Sequence, residues 1–287
     1  MHYADYKTIL SPGNGINLYR GCTHGCIYCD SRSKCYQMRH DFEDIEIKRG
    51  APQIFEQQLL RKRAPCIIGT GAMCDPYIHL EEELGLTRQC LEIIKKHGFG
   101  LSILTKSARI LRDLDILKSI NETTKCVVQI TLTTYDENLC RIIEPCVSTS
   151  AERFEILKTM RGADIPTVVW MCPTLPFIND TEENLNGLLQ YCCDAKVRGI
   201  LCFGFGMTLR DGNREYFYKK LDEHFPGLKQ KYIAGFGNSY SISSPNSDKL
   251  FKIFRDFCIK HDILYKTDDI FGFLREFPEK KEQLSLF

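Results

Sequence analysis

Asn17-Leu18-Tyr19-Arg20-Gly21-Cys22-Thr23-His24-Gly25-Cys26-Ile27-Tyr28-Cys29-Asp30 carries Cys22, Cys26 and Cys29 in the pattern Cys-x3-Cys-x2-Cys. Three thiolates at this spacing can hold three corners of a cubane iron–sulfur cluster and leave one iron open for chemistry. A structural zinc site normally takes a fourth protein ligand, and its familiar form is two separated Cys-x-x-Cys knuckles. Iron–sulfur ligation therefore accounts for the compact triple better than zinc or chance clustering.

Working outward, the 287 residues suffice for one large α/β domain with an appendage. Lysine plus arginine (38) nearly cancels aspartate plus glutamate (37). Overall charge thus gives no support for a nucleic-acid partner, and any such surface has to be a local patch. The sequence shows no long apolar run and no basic-then-apolar leader, so the expectation is a cytoplasmic protein with no membrane partner. Fifteen cysteines spread through a chain of this kind read as reduced, mostly buried small hydrophobes rather than a disulfide framework.

Short β-rich runs at 66–69, 100–105, 126–133, 166–172 and 199–203 alternate with helix-like segments at 81–97, 108–120, 150–161 and 181–196. With a first strand at 15–19 this makes about six βα units, short of the eight in a closed TIM barrel. The predicted fold is α/β: a partial (β/α)6 TIM-like barrel over 15–208, after an N-terminal segment at 1–14. A C-terminal helical extension at 209–278, with helices at 215–224 and 246–261, and a tail at 279–287 complete the chain. Thr181 before Glu182 and Glu183 reads as a helix cap, and Ser150, followed by Arg153 instead of an acid, as a cap without a capping box. Arg210, Arg214, Lys219, Lys220, Lys229 and Lys231 form either a phosphate-binding face or, more simply, a solvated face balanced by Glu215, Asp222 and Glu223.

The cysteine triple resembles that of the radical S-adenosylmethionine (radical SAM) enzymes, and further stretches resemble their spore photoproduct lyase family. These are Asn17 to Cys22, Asp75-Pro76-Tyr77, Leu86-Thr87-Arg88, Leu104-Thr105-Lys106-Ser107, Arg112-Asp113, Glu144-Pro145, Pro173 to Pro176 with Asn179-Asp180, and Leu209-Arg210 with Arg214-Glu215. The resemblance implies a radical SAM partial barrel, a [4Fe-4S] cluster on Cys22, Cys26 and Cys29, and SAM as co-substrate on the open iron. It also implies release of a 5′-deoxyadenosyl radical that abstracts hydrogen from the substrate.

Within that resemblance, Gly69 and Thr70, ending the second strand with Gly71, correspond to the segment near the SAM amino group, although strand-end glycines are as often mere turn formers. Lys106, ending the third strand, would neutralise the SAM carboxylate. Thr131 and Thr133 alternate with Leu132 and would share a face on which a hydroxyl bonds to SAM, unless they are ordinary strand threonines. Tyr28 would stack on adenine or relay hydrogen, or simply pack the cluster loop. Cys74 follows Cys22 at close to the separation of the spore photoproduct lyase cysteine that returns hydrogen to the product radical, with a buried structural cysteine as the alternative. Cys35 reads as structural, His24 as a loop-packing group and Trp170 as a barrel-lining residue.

The function expected is a radical SAM lyase that repairs a thymine-dimer lesion. The alternatives are an enzyme of the same fold acting on RNA, a peptide or a small molecule, or a cluster-bearing binding protein without turnover. Expected partners are damaged DNA and a reductant such as flavodoxin or ferredoxin. The terminal Gln283-Leu284-Ser285-Leu286-Phe287 resembles the peptide by which bacterial repair proteins dock on the sliding clamp.

Overall fold

Six runs rich in β-branched and apolar residues form one parallel sheet in strict chain order: β1 (Gly15–Ile16), β2 (Ile67–Thr70), β3 (Gly100–Thr105), β4 (Cys126–Thr131), β5 (Thr167–Trp170) and β6 (Gly199–Leu201). Parallel neighbours need crossovers, and five helices supply them: α1 (Ala51–Leu60), α2 (Leu86–Lys96), α3 (Leu114–Thr123), α4 (Ser150–Gly162) and α5 (Glu182–Asp194). This computed structural model describes residues 1–278, so the clamp-like peptide Gln283 to Phe287 lies outside the described residues.

Every residue of β3 and β4 is buried, as expected where both sheet faces are covered. Leu101, Ile103, Val128 and Ile130 belong to the main core under the helices, whereas Val127 alternates to the inner face. Four further helices follow the sheet. Helix α8 follows α6 (Asn213–His224) and α7 (Leu228–Phe236), spans Ser247–Lys260, and buries Leu250, Phe254 and Cys258 in the main core. The chain then pairs Leu264 with Gly199 at the β6 edge, and α9 (Thr267–Arg275) packs Ile270 and Leu274 on Val127, Val168 and Leu201. The terminal helix thus fills the inner face of an open sheet, where a closed barrel would supply its own opposing side chains.

Several expectations are corrected. The expected strand at 126–133 ends at Thr131, and the one at 15–19 splits: β1 stops at Ile16, while Tyr19–Arg20 joins a second sheet with His2–Ala4 and Glu46–Lys48. The expected helix 81–97 is interrupted at Gly85, and 108–120 opens as a 3-10 turn over Ala108–Asp113. Helix α4 is capped one residue earlier than expected, by Thr149, with Glu152 completing a capping box. The Thr181 cap is present, its side chain accepting from the Asn184 amide. None of the described helices is long and apolar enough to cross a membrane.

Candidate active site

The cysteine loop runs on from the second sheet at Tyr19–Arg20, and each side of it is pinned. Gly21, at φ +87°, lies so close to the Phe42 carbonyl that a Cβ there would fall 2.4 Å from its oxygen, and the same carbonyl accepts the Cys22 amide at 3.0 Å. On the other side the Ile27 amide donates to Ile143 at 3.0 Å, and the Cys146 amide donates to His24 at 3.1 Å. Glu144, in that second strap, accepts from Tyr28 Oη and from Arg153, and Glu144 and Arg153 are both fully buried. Arg153 also donates to the carbonyls of Thr131 and Ser148, each at 2.8 Å. A buried ion pair of this kind persists because its remaining donors are satisfied.

Asp75 locks the opposite wall. Its carboxylate accepts from the Tyr77 amide at 2.9 Å, Thr105 Oγ1 at 2.7 Å and the Lys106 amide at 2.8 Å, and His24 Nδ1 lies 3.5 Å away. The loop after β2 is thereby clamped to the C-terminal end of β3, the end at which sites form in open α/β sheets. Gly71, at φ +99°, passes so near β3 that a Cβ would lie 1.9 Å from the Leu104 carbonyl oxygen.

These elements enclose a cavity of about 80 Å³ lined by Cys22, Cys26, Cys29, Cys74, Lys106 and Thr131, among others. It opens beside a second cavity of about 510 Å³ that Lys106 and Thr131 also line, walled by Tyr28, Trp170, Cys172 and Phe203. Of the residues expected from sequence, the structure brings together Cys22, Cys26, Cys29, Tyr28, Cys74, Lys106 and Thr131. Gly69 and Thr70 lie one step away, lining an inner cavity beneath the site, while Gly71 takes the place beside the thiols. Thr133 falls beyond the end of β4, where its carbonyl accepts from Asn179 at 2.8 Å, and it lines neither cavity.

The donor chemistry fits an iron–sulfur cluster. The three thiols of the cysteine loop line one cavity together, as ligands of a single centre must. Burial pushes the Cys26 and Cys29 thiols up, so ionising them calls for nearby positive charge, which a metal centre supplies. Lys106 makes no ion pair among the described residues. Burial pulls its pKa down, but Cys26, Glu144 and Asp75 outweigh this and hold it raised, so a cation faces the pocket. His24 Nε2 is buried there without a hydrogen-bond partner among the described residues.

Cys74 sits against the cluster loop, its thiol donating to the Gly21 carbonyl at 2.8 Å. It lines the smaller cavity and not the larger one. Sequence reasoning passed over Cys172, which does line the larger cavity, and Phe203, which is 59% exposed and stands edge to face with Trp170 at 5.8 Å. Both follow strand ends, β5 and β6, and that placement was the available signal. Trp170 is at the cavity wall as expected, with Nε1 donating to Gln129 at 2.7 Å. Cys35 is exposed, beside Arg210.

The basic residues of the extension are largely engaged within the fold. Arg214 donates to the carbonyls of Leu209 and Ser239, Arg210 lies 3.4 Å from Asp30, and Lys220 and Lys229 pair with Glu223 and Asp222.

Comparison with known proteins agrees with this geometry. The sequence pattern of the Radical SAM superfamily matches residues 16–189. An uncharacterized protein of Mycobacterium tuberculosis is 28% identical over 225 residues, covering 76% of this chain and 65% of the relative. An uncharacterized protein of Methanocaldococcus jannaschii is 30% identical over 169 residues, covering 58% of this chain and 62% of the relative. The chain thus spans about 65% of the length of its Mycobacterium relatives. Among solved structures, a spore photoproduct lyase complexed with dinucleoside spore photoproduct superposes with a TM-score of 0.61 at 13% identity, over 88% of this chain and 75% of that one. Streptococcus suis SuiB bound to precursor peptide SuiA gives a TM-score of 0.53 at 11% identity, over 92% and 48%. With a fold shared so widely and the superfamily pattern spanning the cysteine loop and the sheet up to α5, this chain belongs to the Radical SAM superfamily.

Proposed function

We propose that the chain is a radical SAM enzyme that repairs a spore photoproduct-type lesion in DNA. The observation that carries this reading is the cavity of about 510 Å³ opening from the thiol pocket past Lys106 and Thr131, with Trp170 and Phe203 as apolar walls. The likeness of fold to a spore photoproduct lyase holding its dinucleoside lesion supports it. Cys22, Cys26 and Cys29 would hold a [4Fe-4S] cluster, which, given one electron by a flavodoxin or ferredoxin, would supply reductive cleavage of SAM to methionine and a 5′-deoxyadenosyl radical. Lys106 neutralises the carboxylate of the bound co-substrate, and the Thr131 hydroxyl is available to its polar groups. Gly71 lets the chain approach closely, and the Arg153–Glu144–Tyr28 network holds the cysteine loop rigid and dry. Hydrogen return to a substrate radical needs a neutral thiol. Cys74 can supply it only by turning from the Gly21 carbonyl, whereas Cys172, pushed up to about 12 by burial and by Cys202, already faces the larger cavity as a thiol.

A second reading, a peptide or small-molecule substrate, is favoured by the engagement of the extension's basic residues, which leaves little free charge to track phosphates. Anaerobically reconstituted protein, incubated with SAM, a flavodoxin or ferredoxin reductant and dinucleoside spore photoproduct, separates the two. The lesion reading expects conversion to paired thymidines, with Cys172→Ala and Cys74→Ala compared for clean product. Formation of 5′-deoxyadenosine without loss of the lesion would leave the second reading.

A further inference from the structure

Ligating side chains converge at a second place, away from the thiol pocket. His2, on strand His2–Ala4, and His40 and Asp44, on the loop leading into strand Glu46–Lys48, each present one ligand atom, all within 4.8 Å of one another. His2 Nδ1 lies 2.9 Å from Asp44 Oδ2, and the two imidazoles stand edge to face with centroids 4.8 Å apart. Glu46 Oε2 is 3.7 Å from His2 Nε2 and 3.8 Å from His40 Nε2.

The state of His40 points to a ligand. Its Nδ1 lies 3.0 Å from the Asp41 carbonyl oxygen, an acceptor only, so Nδ1 carries the proton and donates. The neutral ring then keeps a lone pair on Nε2, and this atom is buried with no hydrogen-bond partner among the described residues, the Glu46 carboxylate standing 3.8 Å away. A buried acceptor without a partner is costly. An imidazole whose one nitrogen donates to a backbone carbonyl while the other is free is the form in which histidine binds metal. Asp44 Oδ1 is occupied by the α-amino group of Met1 at 2.8 Å, a contact exposed enough to be weak, and Oδ2 remains on the histidine side.

We propose that His2, His40 and Asp44 bind a divalent transition ion, with the Glu46 carboxylate as a nearby fourth donor. Two imidazoles with carboxylate and no thiolate suit zinc, whereas magnesium and calcium prefer all-oxygen sets. Binding draws the donors to about 3.3 Å of one another, the separation set by Zn–N distances of about 2.0–2.1 Å. Only a short strand and a surface loop have to close in. That loop also carries the Phe42 carbonyl that holds the Cys22 amide, so the ion ties the N-terminal strand to one wall of the cysteine loop. The site is independent of the proposed substrate.

The test uses the full chain with its iron–sulfur centre reconstituted, equilibrated with zinc and freed of excess. Zinc is counted by elemental analysis and its neighbours read by X-ray absorption at the zinc edge, which iron does not obscure. The expected result is about one zinc per chain with a first shell of nitrogen and oxygen at about 2.0–2.1 Å, and a zinc-dependent rise in melting temperature. Both are lost in His40→Gln and in Asp44→Asn, provided that each variant keeps wild-type circular dichroism and iron content. Failure of the wild-type chain to retain zinc, equal zinc in wild type and both folded variants, or a sulfur shell at about 2.3 Å would each overturn the site.

Discussion

Arg153→Met removes the guanidinium that holds the second strap of the cysteine loop. In the native chain that group is fully buried, paired with an equally buried Glu144, and bonded to the carbonyls of Thr131 and Ser148. Breaking one side of such a pair costs about 3–5 kcal/mol, because the remaining carboxylate is left without compensation. That figure already takes in the two carbonyls' lost charge-assisted bonds and the relief as Glu144 takes up a proton. A net loss of about 3–5 kcal/mol leaves a folded but marginal protein when total stabilities run at about 5–15 kcal/mol. At about 2–4 °C per kcal/mol, the melting temperature falls by about 6 °C or more. Urea unfolding followed by fluorescence of Trp170 measures the loss. Iron content after reconstitution measures its consequence, since Ile143 and Cys146, on either side of Glu144-Pro145, bond directly to the cysteine loop. The double variant Glu144→Gln/Arg153→Met should be more stable than the sum of the singles by about 1–3 kcal/mol. An Arg153→Met protein within about 1 kcal/mol of wild type, with full iron, would refute the strap's role.

Lys106→Ala should keep its iron and lose about 10- to 100-fold in SAM affinity, the worth of a charge-assisted bond, measured by equilibrium dialysis under anaerobic conditions. Gly71→Ala, placing a methyl 1.9 Å from the Leu104 carbonyl oxygen, should displace the loop after β2 and abolish SAM cleavage while the iron count stays near wild type. Stability should fall with acid in a predictable way. Burial alone would push Glu144 up, but Arg153 and Lys106 outweigh it and hold it below the usual carboxylate range. Its contribution is therefore present above the ordinary carboxylate pKa of about 4.3 and is lost as pH falls through the depressed folded value, a slope that Glu144→Gln should flatten in urea titrations.

The sheet was legible because its central strands are apolar runs of the right length between amphipathic helices, and the cysteine loop because three thiols at one spacing have few uses. The early end of β1 and the second sheet were not, since Tyr19–Arg20 and Glu46–Lys48 are too short to show an alternation. The expected strand runs two residues past the end of β4 because Thr131, Leu132 and Thr133 keep its apolar-polar alternation, while the Asn179 amide takes the Thr133 carbonyl out of the sheet. That same early end removes Thr133 from the site. Asp75 and Glu144 were visible only within the short family-like stretches Asp75-Pro76-Tyr77 and Glu144-Pro145. Their work is to accept hydrogen bonds from residues distant in the chain, which no local pattern encodes. Cys74 and Cys172 line different cavities, a property of the folded chain alone.

The central claim is that Cys22, Cys26 and Cys29 hold a cubane cluster whose open iron takes SAM. Its most direct test counts iron and sulfide in the anaerobically reconstituted protein and then follows 5′-deoxyadenosine release from SAM with a reductant, for wild type beside Cys26→Ala and Cys35→Ala. The account predicts about four irons and four sulfides per chain in wild type and in Cys35→Ala, both cleaving SAM, and loss of cluster and cleavage together in Cys26→Ala. An unchanged cluster in Cys26→Ala, or zinc in place of iron in the wild-type loop, would contradict it.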